Sequence, residues 1–423
     1  MILALSIAIV AMAVLGAPLF AVVMAAAMLG FFAAGIDLAV IPIELYRIAD
    51  TPLLVALPFF TFAGYLMVAA KTSGRLMDLT RALFGWMPSG LPIVGFVACA
   101  IFTALTGASG VTIVALGALL LPMLTGNGYS ERYSLGLVTT SGSLGLLIVP
   151  SVPLILYGIV AQQMEVGERF TIQQLFLAGL LPALLMIALL SGWTALRHGG
   201  APRTPFEARA LWTAIKAARW ELPLPFVVLG GIYSGLFAIS EAAAMTALYV
   251  LVAEVFLYKE VPIKRLAGIV RESMVMVGSI ILILGVALAF TNFLIDAEVP
   301  QRLFEFVQAS ISSPLTFLIL LNIILLILGA VLDIYSAVII MVPLLLPVAV
   351  GYGIHPVHLG IVFLANLQIG YFTPPIGMNL FIASYRFGRP VLELYAACLP
   401  FMGVLLIALL LITYVPFLSL WFL

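Results

Sequence analysis

Long apolar runs separated by short polar loops fill the chain from end to end. A helix rises 1.5 Å per residue and the hydrocarbon core of a bilayer is about 30 Å thick, so roughly 20 apolar residues make one crossing. On that measure the pattern predicts five crossings in each half: 2–16, 18–34, 52–70, 134–163 and 174–196, then 223–237, 240–257, 275–294, 358–385 and 395–417. Two of these are interrupted, 134–163 at Pro150 and Pro153 and 358–385 at Pro374 and Pro375, because proline lacks an N–H and its ring blocks the preceding turn. Between them lie two further apolar stretches, 91–124 and 314–350, each too long for one crossing and broken near its middle.

Charged residues sit almost entirely between the apolar runs, and their sign orients the chain, since loops rich in Lys and Arg stay on the cytoplasmic side. The connector 197–219 carries Arg197, Arg203, Arg209, Lys216 and Arg219 against Glu207 alone and is read as inside. Loop 71–81 (Lys71, Arg75 and Arg81 against Asp78) and loop 259–272 (Lys259, Lys264, Arg265 and Arg271 against Glu260 and Glu272) each carry +2 and are also read as inside. Loops 36–50 (Asp37, Glu44 and Asp50 against Arg47) and 296–305 (Asp296, Glu298 and Glu305 against Arg302) each carry −2 and are read as outside. Five crossings per half satisfy all these assignments only if 91–124 and 314–350 each enter and leave on one side. Two re-entrant hairpins are therefore expected, the first turning at Thr106–Thr112 and the second near Gly329–Ser336.

Sliding the chain against itself by 225 positions superposes Leu121-Pro122 on Leu346-Pro347, Gly126 on Gly351, Gly128 on Gly353, Gly145 on Gly370 and Pro150 on Pro375. At that offset the loop of +2 at 71–81 meets the loop of −2 at 296–305. Repeats with an odd number of crossings and reversed loop charges are antiparallel, an arrangement of many secondary transporters. The expected fold class is an all-α polytopic membrane protein with two inverted-topology repeats, 1–215 and 216–423, of about ten transmembrane helices plus two re-entrant hairpins. Scaffold helices would occupy 1–70 and 223–294, with the amphipathic segments near 36–50 and 259–272.

Composition closes other routes. Hydrophobic residues make up 64% of the chain and charged residues 9%, against roughly 25% charged in an ordinary soluble domain, so no water-soluble surface can be built. Lys plus Arg and Asp plus Glu balance at 18 each, which leaves no basic excess for a nucleic acid. Cys99 and Cys398 lie far apart in apolar runs and supply neither a disulfide framework nor a thiolate metal cluster. The first charge is Asp37, so the basic region that opens a cleavable signal peptide is missing and the first apolar run is expected to be a membrane segment. Neither a zinc-hydrolase His-Glu-x-x-His, nor a Gly-x-Ser-x-Gly elbow, nor a phosphate loop occurs; an enzyme is not expected, and this chain alone is no ATP-driven pump.

Non-helical backbone is tolerated at membrane depth only where protein or a water-filled cavity covers it, so the breaks mark the site. Around Pro150 and Pro375 carbonyls lose helical partners, and together with hydroxyl and amide oxygens they suit an alkali cation, while the N-termini of half-helices favour a carboxylate. The side chains nominated for substrate are Thr106, Ser109, Ser151, Asn366, Thr373 and Asn379; the competing role for each hydroxyl is a bond back to a carbonyl one turn away, or to a neighbouring helix. Asp333 is the sole acidic residue inside a hairpin; it either couples transport to a cation or proton, or lies on a tip that reaches the outer aqueous face. Glu241 and Glu254 are read as interfacial. His355 and His358 would form a metal pair, or else a helix cap or solvated loop.

At residues 107–122 (GASGVTIVALGALLLP), 127–158 (NGYSERYSLGLVTTSGSLGLLIVPSVPLILYG) and 353–384 (GIHPVHLGIVFLANLQIGYFTPPIGMNLFIAS) the sequence closely resembles the large membrane subunit of tripartite ATP-independent periplasmic (TRAP) transporters. It departs from the family's frequent double proline at Val149-Pro150-Ser151. The resemblance covers essentially the whole chain. It implies an elevator-type carrier of the ion-transporter superfamily in the bacterial inner membrane, which takes up an organic acid such as a C4-dicarboxylate or a sialic acid on a sodium gradient. It also implies a periplasmic substrate-binding protein and a small membrane subunit as partners, the latter expected as a separate chain, besides phospholipids. Carried over residue by residue, sodium would be held by Ser109, Gly110, Gly145 and Pro150 in one half and by Gly329, Asp333, Thr373, Pro375, Gly377 and Asn379 in the other. The alternatives are a stand-alone anion/cation symporter of the same fold and an ion channel.

Overall fold

The computed structural model describes residues 2–49, 51–87, 89–198, 205–311 and 313–423; Asp50 and Arg203, counted above in their loops, lie outside them. The described residues form helices and connecting loops with no strand, as expected where lipid forces each segment to satisfy its own backbone. Among them seven helices are long and apolar enough to cross a bilayer, or nine if each of two bent helix pairs is one span. This is a multi-pass membrane protein.

Both apolar stretches fold as hairpins. The first runs down Gly90–Thr106, turns at Gly107 and Ala108, and returns as Ser109–Ala115 and Gly117–Gly126 with a bend of 49° between the two return pieces. Gly107 has φ +68°, a left-handed conformation that costs glycine nothing. The second consists of Pro314–Val331 and Ile334–Gly351, joined only by Leu332 and Asp333. Asp333 starts the return arm: its carboxylate accepts the N–H groups of Tyr335 and Ser336, each at 3.0 Å, as an N-cap does. Each arm has 18 residues, about 27 Å, so both count among the seven long helices.

The interrupted helices also form where expected. The first comprises Glu131–Ser141, a single tight turn Leu144–Leu147, and Val152–Gln163. The second comprises Pro356–Gly370, an irregular stretch 371–377, and Met378–Phe387. In both halves the glycine at the break lets it lie against the first arm of its own hairpin. A Cβ on Gly145 would sit 2.1 Å from the Ala100 carbonyl oxygen and 2.6 Å from the Ala104 nitrogen; one on Gly370 would sit 2.6 Å from Gly329 Cα. Ala104 and Gly329 are again 225 apart, and Ser143 Oγ donates to the carbonyl of Gln368, its own equivalent at that offset, at 3.1 Å.

Three expectations are corrected. The loop at 259–272 and the span at 275–294 are one helix, Ile263–Asp296, of 34 residues. At about 51 Å it exceeds the hydrocarbon core by about 20 Å, so Lys264, Arg265, Arg271 and Glu272 ride exposed on its first turns without breaking it. The crossing expected at 2–16 is a helix Ile2–Val14 of 13 residues, none buried, about 20 Å long; Gly16 with φ +82° and Pro18 end it and start the next. Glu254 is not interfacial but 1% exposed. Its carboxylate meets Arg75 Nη2 at 3.1 Å, and the same guanidinium binds Glu260 at 2.7 Å, pairs with Glu221, and lies 3.9 Å over the Tyr258 ring. Arg75 stands on Thr72–Phe84, the helix that the loop at 71–81 forms. One guanidinium thus ties that helix to the connector and to the end of Ile239–Leu251 and its continuation Val252–Leu257.

Candidate functional site

Both hairpin tips and both breaks meet. Tyr335 Oη, one residue into the return arm of the second hairpin, donates to the Gly107 carbonyl at the turn of the first, at 2.9 Å. Tyr371, at the second break, accepts the Ile334 N–H on its hydroxyl at 2.7 Å, and the Gly377 N–H binds the Ala330 carbonyl at 2.9 Å. Across the halves, Ser109 Oγ donates to Asn379 Oδ1 at 2.9 Å, and Asn379 Nδ2 reaches the Thr139 carbonyl at 3.4 Å. Asn379 is fully buried, so this amide joins the first hairpin, the first interrupted helix and the second break. Within the first half, Thr103 Oγ1 donates to the Gly142 carbonyl at 2.8 Å and lies 2.7 Å from Thr112 Oγ1.

Several carbonyls at the breaks already have one partner. Leu146 accepts Ser151 Oγ, Tyr371 accepts the Asn379 N–H, and Pro375 accepts Tyr395 Oη. The peptide bonds preceding Pro150 and Pro375 are both cis. A carbonyl oxygen has two lone pairs, so each keeps one acceptor position.

The nominated residues divide. Ser109 and Gly110 line the cavity described below, and Asn379 is bonded to its rim through Ser109. Gly145 and Gly377 are packing glycines at the breaks and Gly329 is one on the first arm of the second hairpin: a Cβ on Gly377, which has φ +48°, would lie 2.9 Å from the Thr373 carbonyl. Asp333 caps its helix, with Ser336 Oγ on its second oxygen. Thr373 Oγ1 bonds back to the Ile369 carbonyl at 2.9 Å, and Ser151 caps the second piece of the first interrupted helix. Asn366 donates to Asn322 Oδ1, on the first arm of the second hairpin, at 2.7 Å in a buried network with Thr413, and its own Oδ1 is buried with no partner. Thr106 Oγ1 is buried with no partner, and the Thr106 backbone lies where a Cβ on Gly64 would be. Pro150 borders a small apolar gap against Phe60 and Leu224, and Pro375 is held by Tyr395. The histidines resolve as caps and network members. His355 Nδ1 accepts the Val357 N–H at 3.1 Å, while His358 bonds Ser419 Oγ at 2.6 Å and the Thr413 carbonyl at 3.1 Å; among the described residues no cluster suits a metal ion.

A cavity of about 880 Å³ opens beside the joined tips. One wall is the tip and return arm of the first hairpin, Gly107 to Ala115; another is the N-terminal part of the long helix, Lys264 to Met276, with Tyr65 and Val68; Leu146, Tyr335, Tyr371, Met378 and Ile382 also line it. Tyr65, Lys264, Arg265, Glu272 and Tyr335 are site residues that sequence reasoning missed. Tyr335 sat within the expected second turn, but the others belong to segments assigned to the scaffold, where nothing in the local pattern distinguishes a cavity-facing position from a lipid-facing one.

Residues 3–418 match the family model described as "Tripartite ATP-independent periplasmic transporter, DctM component". The C4-dicarboxylate TRAP transporter large permease protein DctM of Rhodobacter capsulatus is 36% identical over 377 residues, covering 87% of this chain and 86% of that protein. The isethionate TRAP transporter permease protein DctMQ of Oleidesulfovibrio alaskensis is 33% identical over 87% of this chain and 58% of its own length, and the ectoine/5-hydroxyectoine large permease UehC of Ruegeria pomeroyi is 31% identical over 84% and 82%. Among solved structures, the YdaH transporter of Alcanivorax borkumensis superposes with TM-score 0.57 over 87% of this chain and 85% of that one, at 15% identity. That likeness concerns the fold alone.

Proposed function

The chain belongs to the DctM family, the large permeases of tripartite ATP-independent periplasmic transporters, and on that footing we propose that it carries an organic acid into the cell by sodium symport. The acid arrives from a periplasmic binding protein, and a small membrane subunit on a separate chain braces the scaffold in the bacterial inner membrane. The two hairpins and two interrupted helices form the mobile body of an elevator; the halves are inverted repeats, and the long helix Ile263–Asp296 and the span Pro52–Ala69 belong to the stationary frame. The observation that carries this reading is the convergence of both hairpin tips and the second break on one cavity, closed by the Tyr335–Gly107 and Ser109–Asn379 bonds. Lys264 and Arg265 line the cavity and are exposed, in the segment whose charge assigns it to the cytoplasm, which supports an inward-facing state.

Sodium binds as co-substrate at the tips and breaks, with Ser109 and Asn379 nearest the cavity. Each net positive charge carried inward gains about 2.3 kcal/mol per 100 mV of membrane potential, so sodium in excess over substrate charge accumulates the acid. The test is uptake of labelled acids into proteoliposomes containing this chain, its small subunit and its binding protein. Uptake should require inwardly directed sodium; uptake independent of sodium would refute the coupling, and uptake without the binding protein would favour a stand-alone symporter.

A further inference from the structure

The cavity wall has a chemical character that the family's substrates do not share with one another. Along it, Val111, Val114, Ile269, Met276 and Ile382 present hydrocarbon. Of the hydroxyls that border it, Ser109 and Tyr335 give their protons to Asn379 Oδ1 and the Gly107 carbonyl, and Tyr371 accepts the Ile334 N–H. Tyr65 Oη alone has no stronger partner than Met276 Sδ at 3.5 Å, and thioether sulfur is a weak acceptor. Charge enters at one place, on the first turns of the long helix. Lys264 and Arg265 are adjacent and exposed there, and among the described residues no carboxylate lies within 4.0 Å of either. Glu272 lies two turns further along the same helix.

We propose that this cavity selects monocarboxylates with an apolar body over dicarboxylates and polyhydroxy acids, the carboxylate held toward Lys264 and Arg265 beside the Tyr65 hydroxyl. This rests on the reading of the cavity as a carboxylate site. The physical reasons are two. A second carboxylate at the far end of the substrate would be desolvated against valine, isoleucine and methionine with no cation to meet it, and Glu272 would repel it at the near end. The several hydroxyls of a sugar acid outnumber the wall hydroxyls, of which Ser109 and Tyr335 have already given their protons away, so some would lose their water without full replacement. An aliphatic body replaces water with hydrocarbon contact throughout.

The experiment is calorimetric binding to this chain with its small subunit in nanodiscs, in saturating sodium and without the binding protein, so that the cavity alone is measured. The probes are 4-methylpentanoate, succinate and gluconate. The expected order is 4-methylpentanoate tighter than either of the others by at least about tenfold, the scale on which a hydrophobic pocket discriminates. Val114 is 43% exposed on the return arm, so Val114→Asn leaves the packing intact, and it should erase that preference. Succinate or gluconate binding as tightly as 4-methylpentanoate, or an unchanged preference in Val114→Asn, would overturn the selectivity while leaving a carboxylate site standing. Failure of all three acids to bind would overturn the selectivity and the carboxylate reading together.

Discussion

Replacing Asn379 with Ala tests whether the joint between the halves is what sodium orders. The side chain is fully buried, accepts from Ser109 Oγ at 2.9 Å and donates to the Thr139 carbonyl at 3.4 Å. Truncation removes both bonds and leaves a hydroxyl and a carbonyl without these partners. At about 1 kcal/mol of net stabilisation each, the loss is about 2 kcal/mol, and at 1.4 kcal/mol per tenfold the half-saturating sodium concentration for uptake should rise about 30-fold. Asn322→Ala is the control. Asn322 is similarly buried, bonds Asn366 and Thr413 behind the second interrupted helix, and should destabilise the protein by a comparable amount with sodium half-saturation within about twofold of wild type. The assay is initial uptake against external sodium in proteoliposomes, with thermal unfolding measured in parallel. Asn379→Ala with an unchanged sodium requirement, or Asn322→Ala with an equal shift, would refute the reasoning.

Gly370→Ala and Gly278→Ala should move thermal stability in opposite directions. The first drives a methyl into the Gly329 backbone at 2.6 Å, an overpacking of about 1–3 kcal/mol, whereas the second meets open space on the long helix and should gain about 0.5–1 kcal/mol; shifts of the same sign would contradict the packing. Arg75→Met removes the one cation from three carboxylates whose side chains are 4%, 1% and 18% exposed, and should cost about 3–5 kcal/mol in unfolding; a loss under about 1 kcal/mol would mean that the cluster is solvated. Burial holds the His355 imidazole below its ordinary value of 6.5, with Glu168 opposing. The neutral ring is then the native form, so its contribution is full above about pH 6.5 and is lost as pH falls below that. His355→Asn, which keeps a capping acceptor, should therefore lose less stability than wild type between pH 7 and pH 5; parallel curves would refute the assignment.

Much of the fold was legible because the bilayer imposes it. Apolar length located most of the helices, and the prolines at 150 and 375 with the glycines at 145 and 370 located both breaks, since each acts through its own backbone. The first turn appeared within the expected residues for the same reason, Gly107 supplying its left-handed φ. What failed was whatever depends on a distant partner. Charge at 264–272 looked like a loop, because nothing local says that a helix continues past the membrane surface. Glu254 looked interfacial because its guanidinium lies on another helix. Of the hydroxyls, Ser109 reached the cavity while Ser151 and Thr373 bonded locally, and only the orientation of each side chain decides between those outcomes.

The bond from Ser143 to the Gln368 carbonyl bears on the proposal that the halves are inverted repeats. In a dimer of identical chains a contact on the dyad is made twice, each copy giving what the other receives. Here it is made once. Gln368 does not return it: its Nε2 rests on Met186 Sδ at 3.3 Å and its Oε1 is buried without a partner. Because the acceptor is backbone, any residue at 368 could serve Ser143, so on the proposed repeat relation fusing two copies would release that position from the constraint while still binding position 143. On that proposal, divergence between the copies would begin at the Ser143–Gln368 contact, where one partner contributes only its main chain, and not just at the surfaces that face different neighbours.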